Sequence, residues 1–149
     1  MISIQRTYPG NIDFHSLVFE LNKDLKIRDG GDYSFFAQFN KIDSIKYVVI
    51  AYLNDKPVGC GAIKQYDDIT MEVKRMFVLS EFRGQGIASL VLKELEKWCK
   101  ELNFKKCILE TGKRQPEAIR LYHKNGYKII PNFGQYANVE SCVCFEKIL

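Results

Sequence analysis

The sequence predicts an α/β protein, a mixed and mostly antiparallel sheet with helices on its faces, and three observations predict it. The run Lys46–Leu53 (KYVVIAYL) is β-rich and apolar on both faces, as a central strand is. Two further β-rich runs follow across short turns, which makes an antiparallel meander. Past residue 78 the hydrophobic period becomes helical, and a strand–helix–strand alternation begins that requires a parallel crossover. With 149 residues, 46% hydrophobic and 27% charged, the chain has the size and composition of a globular domain, not of a disordered segment. No repeat, low-complexity tract or linker divides it, so residues 1–149 read as a single domain.

Each element has its own signal. Ile2–Thr7 reads as a short first strand. From Asn11 to Ile27, Phe14, Leu17, Val18, Leu21 and Leu25 recur at helical spacing, so an amphipathic helix is expected. Asp29-Gly30-Gly31-Asp32 breaks it, and Tyr33–Asn40 predicts a second short helix or turn. Asn54-Asp55-Lys56-Pro57 is a turn, and Val58–Gln65 pairs back as a hairpin. Ile69–Val78 is the third strand of the meander, with Met71, Val73 and Phe77 at alternating positions that Arg75 interrupts. Gln85–Asn103 sets Ile87, Leu90, Val91, Leu95, Trp98 and Leu102 on one stripe of a helix. Lys106–Glu110 is a strand. Pro116–Lys124 is a helix with proline in its first turn and Asn125-Gly126 at its end. Tyr127–Ile130 and Glu140–Ile148 close a sheet of six or seven strands flanked by about four helices.

Charge and cysteine usage exclude several classes. The net charge of +4 is too weak to imply nucleic acid. It is unevenly spread: residues 1–70 hold 8 Lys/Arg against 9 Asp/Glu (−1), and residues 71–149 hold 14 against 9 (+5). A basic C-terminal half fits an anionic ligand on one side, or simply a solvated lysine-rich surface. No apolar run approaches the ~20 residues of a membrane span, and the N-terminus lacks a signal-peptide core, so no membrane partner is expected. Five cysteines without paired spacing, beside two histidines, argue against a disulfide framework and a metal site. The expected compartment is the reducing cytoplasm.

The stretch FVLSEFRGQGIASLVL carries the most chemistry. A strand ends at Val78, and a helix starts around Arg83-Gly84-Gln85-Gly86-Ile87-Ala88. Glycines let backbone amides approach a ligand, and a helix N-terminus supplies unpaired N–H groups and partial positive charge. Arg83 adds a cation, and a pyrophosphate is the natural occupant. Gly84-x-Gly86 with Glu110 after the next strand also mimics a dinucleotide or S-adenosylmethionine site. Three features oppose that reading: Ser89 stands at the third glycine position, the loop follows an antiparallel meander past mid-chain, and too few residues remain for a doubly wound half.

Arg83-Gly84-Gln85-Gly86-Ile87-Ala88 resembles the R/Q-x-x-G-x-G/A loop of the GCN5-related N-acetyltransferase (GNAT) superfamily, as do EVKRMFVLSEF before it and LETGKRQPEAIRLYHKNGYKII after it. The resemblance runs from about Ile45 to the C-terminus. It implies acetyl-CoA as cosubstrate, with the pyrophosphate on Arg83, Gly84, Gln85, Gly86, Ile87 and Ala88. It implies too that the backbone of Met76, Phe77 and Val78 holds the pantetheine arm, in a gap where two central strands splay. Ala118 and Tyr122, in Ala118-x-x-x-Tyr122-x-x-x-Gly126-Tyr127, are implied as cofactor contacts. Many relatives carry Asn where Gln115 stands.

The same resemblance makes Tyr122 the general acid that protonates the coenzyme A thiolate, a step a phenol performs readily; the plainer alternative is a core tyrosine. Glu72 matches the family's acidic position as general base, or else binds the substrate ammonium or pairs with Lys74. Glu110 and Thr111 look toward the same cleft in similar proteins. His15 and His123 read as surface or packing residues, Cys107 as core, and Cys142 and Cys144 as cysteines without a neighbouring base.

The implied activity is direct acetyl transfer to a primary amine of a small molecule or peptide in a ternary complex. A non-catalytic acyl-CoA sensor on the same fold is the alternative. The acceptor side is expected around Asp29–Phe36 and loop 131–138. Asp29, Asp32, Asp67, Asp68, Glu72 and Glu110 offer a negative lining for a cationic amine, and Phe35, Phe36, Phe133 and Tyr136 an apolar wall. Homodimers are frequent among similar proteins.

Overall fold

One twisted sheet organises the computed structural model, which describes residues 1–30 and 45–149. Its strands are β1 (Ile2–Thr7), β2 (Tyr47–Leu53), β3 (Lys56–Gln65), β4 (Thr70–Val78), β5 (Lys106–Gly112), β6 (Lys128–Ile130) and β7 (Cys142–Ile148), in the order β1-β2-β3-β4-β5-β7-β6. Neighbours are antiparallel except β4 and β5, which run parallel. The helix between that pair is the expected crossover. The helices are α1 (Ile12–Asp29), α2 (Ile87–Glu101) and α3 (Pro116–Lys124). The short helix expected over Tyr33–Asn40 lies outside the described residues.

Helix α1 starts where Asn11 accepts from the N–H groups of Asp13 and Phe14, a cap of about 1 kcal/mol. It lays Phe14, Leu17, Val18 and Leu21 over Val48, Ile50, Cys60, Ala62 and Phe77 on one sheet face. The opposite face packs Val49, Ala51, Ile63, Met71, Val73 and Val78 against Ile87, Val91, Leu92 and Leu95 of α2 and Tyr122 of α3. Burial on both faces is why β2 reads as a continuous apolar run. The hairpin between β2 and β3 is tighter than its sequence predicts. Asn54 and Asp55 take φ of 49° and 70°, so the turn needs only these residues, and Lys56 and Pro57 already belong to β3.

Candidate active site

The interruption at Arg75 is a β-bulge. Ala62 pairs with Lys74 and Cys60 with Phe77, so Arg75 and Met76 together face Gly61. Arg75 takes a φ of 59°, its guanidinium donates to Asn22 of α1 at 2.6 Å, and its carbonyl accepts from the Cys60 thiol at 3.4 Å. Gly61 is required by close approach: a Cβ there would lie 2.5 Å from the Met76 sulfur and 2.9 Å from Leu95. The extra residue reverses the alternation of β4. Met71 and Val73 face α2, whereas Phe77 belongs to the α1 side and Met76 and Val78 turn toward α2. The expectation that Phe77 shares a face with Met71 and Val73 is corrected accordingly.

β4 pairs with β5 only from Thr70↔Lys106 to Glu72↔Ile108. Beyond that the strands diverge, and a slot opens through the sheet between Val73–Met76 and Glu110–Gly112. Strand splaying implied by the family resemblance is thus present in this chain.

On the α2 side of the slot lies a cavity of about 520 Å³. Its wall includes Met76, Phe77 and Val78 of β4, Arg83, Gly84, Gly86, Ile87 and Ala88 of the following loop and helix, and Ala118 and Tyr122 of α3. Gln85 is exposed and does not line it. Helix α2 begins at Ile87, two residues later than its periodicity predicts, because Gly86 is a left-handed cap with φ of 79°. Gly84 is left-handed as well, with φ of 80°, and a Cβ on either glycine would meet nothing within 4 Å. The glycines therefore serve backbone direction, and the space before them is where an anion fits. Intrahelical bonding starts with the Leu90 N–H on the Gly86 carbonyl, which leaves the preceding amides at the positive end of the helix.

Arg83 is held sideways. Its Nε donates to the Val78 carbonyl at 2.9 Å, and its Nη2 lies 3.7 Å from Asp24 of α1. Asp24 also pairs with Arg28, which forms an ion pair with Glu117 at the start of α3. Further cations on the cavity wall are Arg120 and Lys124, one turn apart on α3. These basic residues went unnamed from sequence; their i, i+4 spacing and the basic C-terminal half were the signals present.

Tyr122 sits where the two cavities meet, 5% exposed, its ring edge-on to Tyr127 and tilted on Phe145, each at 5.8 Å between centroids. Burial, and secondarily Glu110, raise its pKa well above the ordinary phenol range, so it stays protonated at neutral pH. Tyr127 behind it donates to Glu96 at 2.9 Å, and Glu96 also holds Lys147 at 2.9 Å.

The second cavity, about 90 Å³, is lined by Glu72, Lys74, Arg75, Glu110, Thr111 and Gln115 among others. Glu72 is 5% exposed, and its carboxylate lies 3.6 Å from Lys74 Nζ. Burial lowers the Lys74 pKa, while Glu72 and Glu110 oppose that change. Glu110 and Glu72 also act on buried Tyr136, whose pKa is raised chiefly by its burial.

Other expected lining residues fall elsewhere. Asp67 and Asp68 are in the exposed β3–β4 turn, where Asp67 accepts from the Ile69 N–H at 2.9 Å. His15 and His123 are exposed and line neither cavity. Cys107 is buried with its sulfur 3.6 Å from Cys99, and Cys142 and Cys144 are buried with Tyr136 in a small third cluster. Phe133 stacks edge-on between Tyr66 and Tyr136. Asp32, Phe35 and Phe36 lie outside the described residues. Among the described residues no helix is long and apolar enough to cross a membrane.

The fold and the slot point to acyl transfer, and the chain belongs to the Acetyltransferase (GNAT) family, whose profile matches residues 15–127. An IAA acetyltransferase of Azospirillum brasilense is 34% identical over 102 residues, covering 68% of this chain and 67% of that protein. Human N-acetyltransferase 8 is 33% identical over 84 residues, but these are 37% of its length. A provisionally named acyl-CoA N-acyltransferase of Klebsiella pneumoniae superposes over 100% of this chain and 98% of its own, with TM-score 0.84 and 27% identity. The PaiA N-acetyltransferase of Thermoplasma acidophilum, solved with coenzyme A, has TM-score 0.75 at 20% identity over 100% and 99% of the two chains. The likeness to PaiA is one of fold.

Proposed function

We propose that the protein transfers the acetyl group of acetyl-CoA to a primary amine by direct attack in a ternary complex. The observation that carries this reading is the slot itself. It joins a large cavity, with a left-handed glycine loop and a helix N-terminus, to a small one that holds carboxylates, and Tyr122 stands at the junction. Acetyl-CoA-bound and coenzyme A-bound structures of the same fold support the cosubstrate. The residues present fit such a ligand: amides at the start of α2 and the cations Arg83, Arg120 and Lys124 take the phosphates, and the stretch Met76–Val78 of β4, which β5 does not pair, takes the pantetheine amides.

The chemistry then follows from position. Glu72 takes one proton from the acceptor ammonium, directly or through a water, and later yields it to solvent. The freed amine bonds to the thioester carbon, and the carbon–sulfur bond breaks. Tyr122 gives its proton to the departing thiolate and regains one from the acylated nitrogen through water. One acetamide, one free thiol and one released proton balance the sheet of atoms. Holding both reactants in one slot turns a bimolecular encounter into a positioned one.

The test is calorimetric titration with acetyl-CoA, NADH and S-adenosylmethionine, followed by a thiol-release screen against amines. Acetyl-CoA binding with amine-dependent thiol release is expected. Binding without release against any amine would make the chain an acyl-CoA sensor, and a response to either control alone would return the loop to nucleotide binding.

A further inference from the structure

The small cavity is not simply acidic. Lys74 and Glu72 stand two residues apart on one face of β4, with side chains 6% and 7% exposed, and both line it. Glu110 reaches the same space from β5, and the bulge residue Arg75 borders it. A lining of carboxylates alone would suit a polyamine or any plain cation. Here a buried ammonium stands among those carboxylates. Two carboxylates and two cations in one small space match an acceptor that carries both signs better than one that brings only positive charge. Keeping Lys74 ionised out of water is itself costly, as its lowered proton affinity records.

We infer that the acceptor carries a carboxylate next to its reacting amine, so that it is an α-amino acid or a molecule with an amino-acid-like head. This rests on the acetyltransferase reading above. The acceptor carboxylate pairs with Lys74 in place of Glu72, and Glu72 is thereby released to receive the ammonium proton. A purely cationic amine makes no such exchange and leaves Glu72 engaged. A cavity of about 90 Å³ takes the charged head of such a molecule and leaves its side chain toward the mouth. The inference replaces the uniformly negative lining expected from sequence, because alternation on β4 puts Lys74 on the same face as Glu72.

The experiment compares matched acceptors that differ only by the carboxylate: L-methionine with 3-(methylthio)propylamine, L-phenylalanine with phenethylamine, and L-lysine with cadaverine, with spermidine as polyamine. Thiol release gives kcat/KM for each. Carboxylate-bearing acceptors are expected to exceed their partners at least tenfold in the native protein. In Lys74→Met that ratio should fall to within about threefold of one, while Lys74→Arg keeps it. Equal or better turnover of the decarboxylated amines, or a ratio unchanged in a folded Lys74→Met, overturns the inference and leaves the acetyltransferase reading standing. Acetyl-CoA binding without thiol release from any acceptor overturns both. Should Lys74→Met fail to fold, the native protein's ratios decide the matter alone.

Discussion

The cavities on either side of Tyr122 make opposite demands on the chain. The larger, about 520 Å³, is lined by Met76–Val78, Gly84, Gly86 and Ile87, with the cations Arg83, Arg120 and Lys124 on the same wall. The smaller, about 90 Å³, brings Glu72, Lys74, Arg75 and Glu110 together in a fraction of that space. The first needs particular backbone directions, which a few adjacent residues secure. The second draws Glu72, Lys74 and Arg75 from β4 and Glu110 from β5, and these meet where the two strands part. The larger cavity is therefore written locally along the chain, and the smaller one is assembled by the sheet.

Substitutions on either side should separate the halves. Gly86→Glu puts a side chain on a φ of 79° and a carboxylate in the anion's place. Calorimetry should show acetyl-CoA affinity falling about a hundredfold or more, roughly 3 kcal/mol. Tyr122→Phe touches the junction alone: kcat should drop ~100-fold, with acetyl-CoA affinity within about threefold of native. Intact kcat would remove the general-acid role. Gly61→Ala forces a methyl to within 2.5 Å of the Met76 sulfur, behind the larger cavity. Chemical denaturation should register a loss of about 1–3 kcal/mol, accompanied by weaker acetyl-CoA binding but an unchanged order of acceptor preference.

The smallest effect in ordinary buffers concerns pH. Tyr122, Tyr127 and Tyr136 all have folded pKa values raised by burial above the ordinary 10.0. Because the unfolded chain gives up these protons first, their stabilisation is intact below pH 10 and is lost as pH rises from there through the folded values. Denaturation at pH 8 and pH 10.5 should show the decline, and tyrosinate absorbance of these rings should appear only with unfolding. Early ionisation in the folded protein would mean the junction is wetter than its packing indicates.

Much of this was legible in the sequence, for reasons that follow from the same contrast. Helix and strand positions are carried by periodicity, and Pro116–Lys124 and Ile2–Thr7 occur with the boundaries their residues predict. The glycine loop is a contiguous string, so Gly84 and Gly86 announce their left-handed backbone. Asn54-Asp55 did so less clearly, since Lys56-Pro57 looks equally turn-like until pairing with β2 claims it. The partners of Arg83 were not legible, because Asp24 and Val78 reach it through tertiary packing. Nor was the charge of the smaller cavity, where Asp67 and Asp68 counted as acids until the hairpin carried them away. Arg75 was visible as a break in pattern, though not as a reversal of the faces after it.

That reversal ties the length of β4 to its meaning. Up to residue 74 even-numbered positions look one way; after the bulge they look the other. Excising Arg75 would restore a regular ladder with Met76 opposite Gly61, and because Phe77 already pairs with Cys60 and Val78 with Gly59, all three would keep their faces. The bulge is thus where β4 holds one residue of extra length while Phe77 and Val78 stay in register with β3. What a ladder without Arg75 would lose is its guanidinium's hold on Asn22 of α1, a tie between helix and sheet and not the facing of the strand.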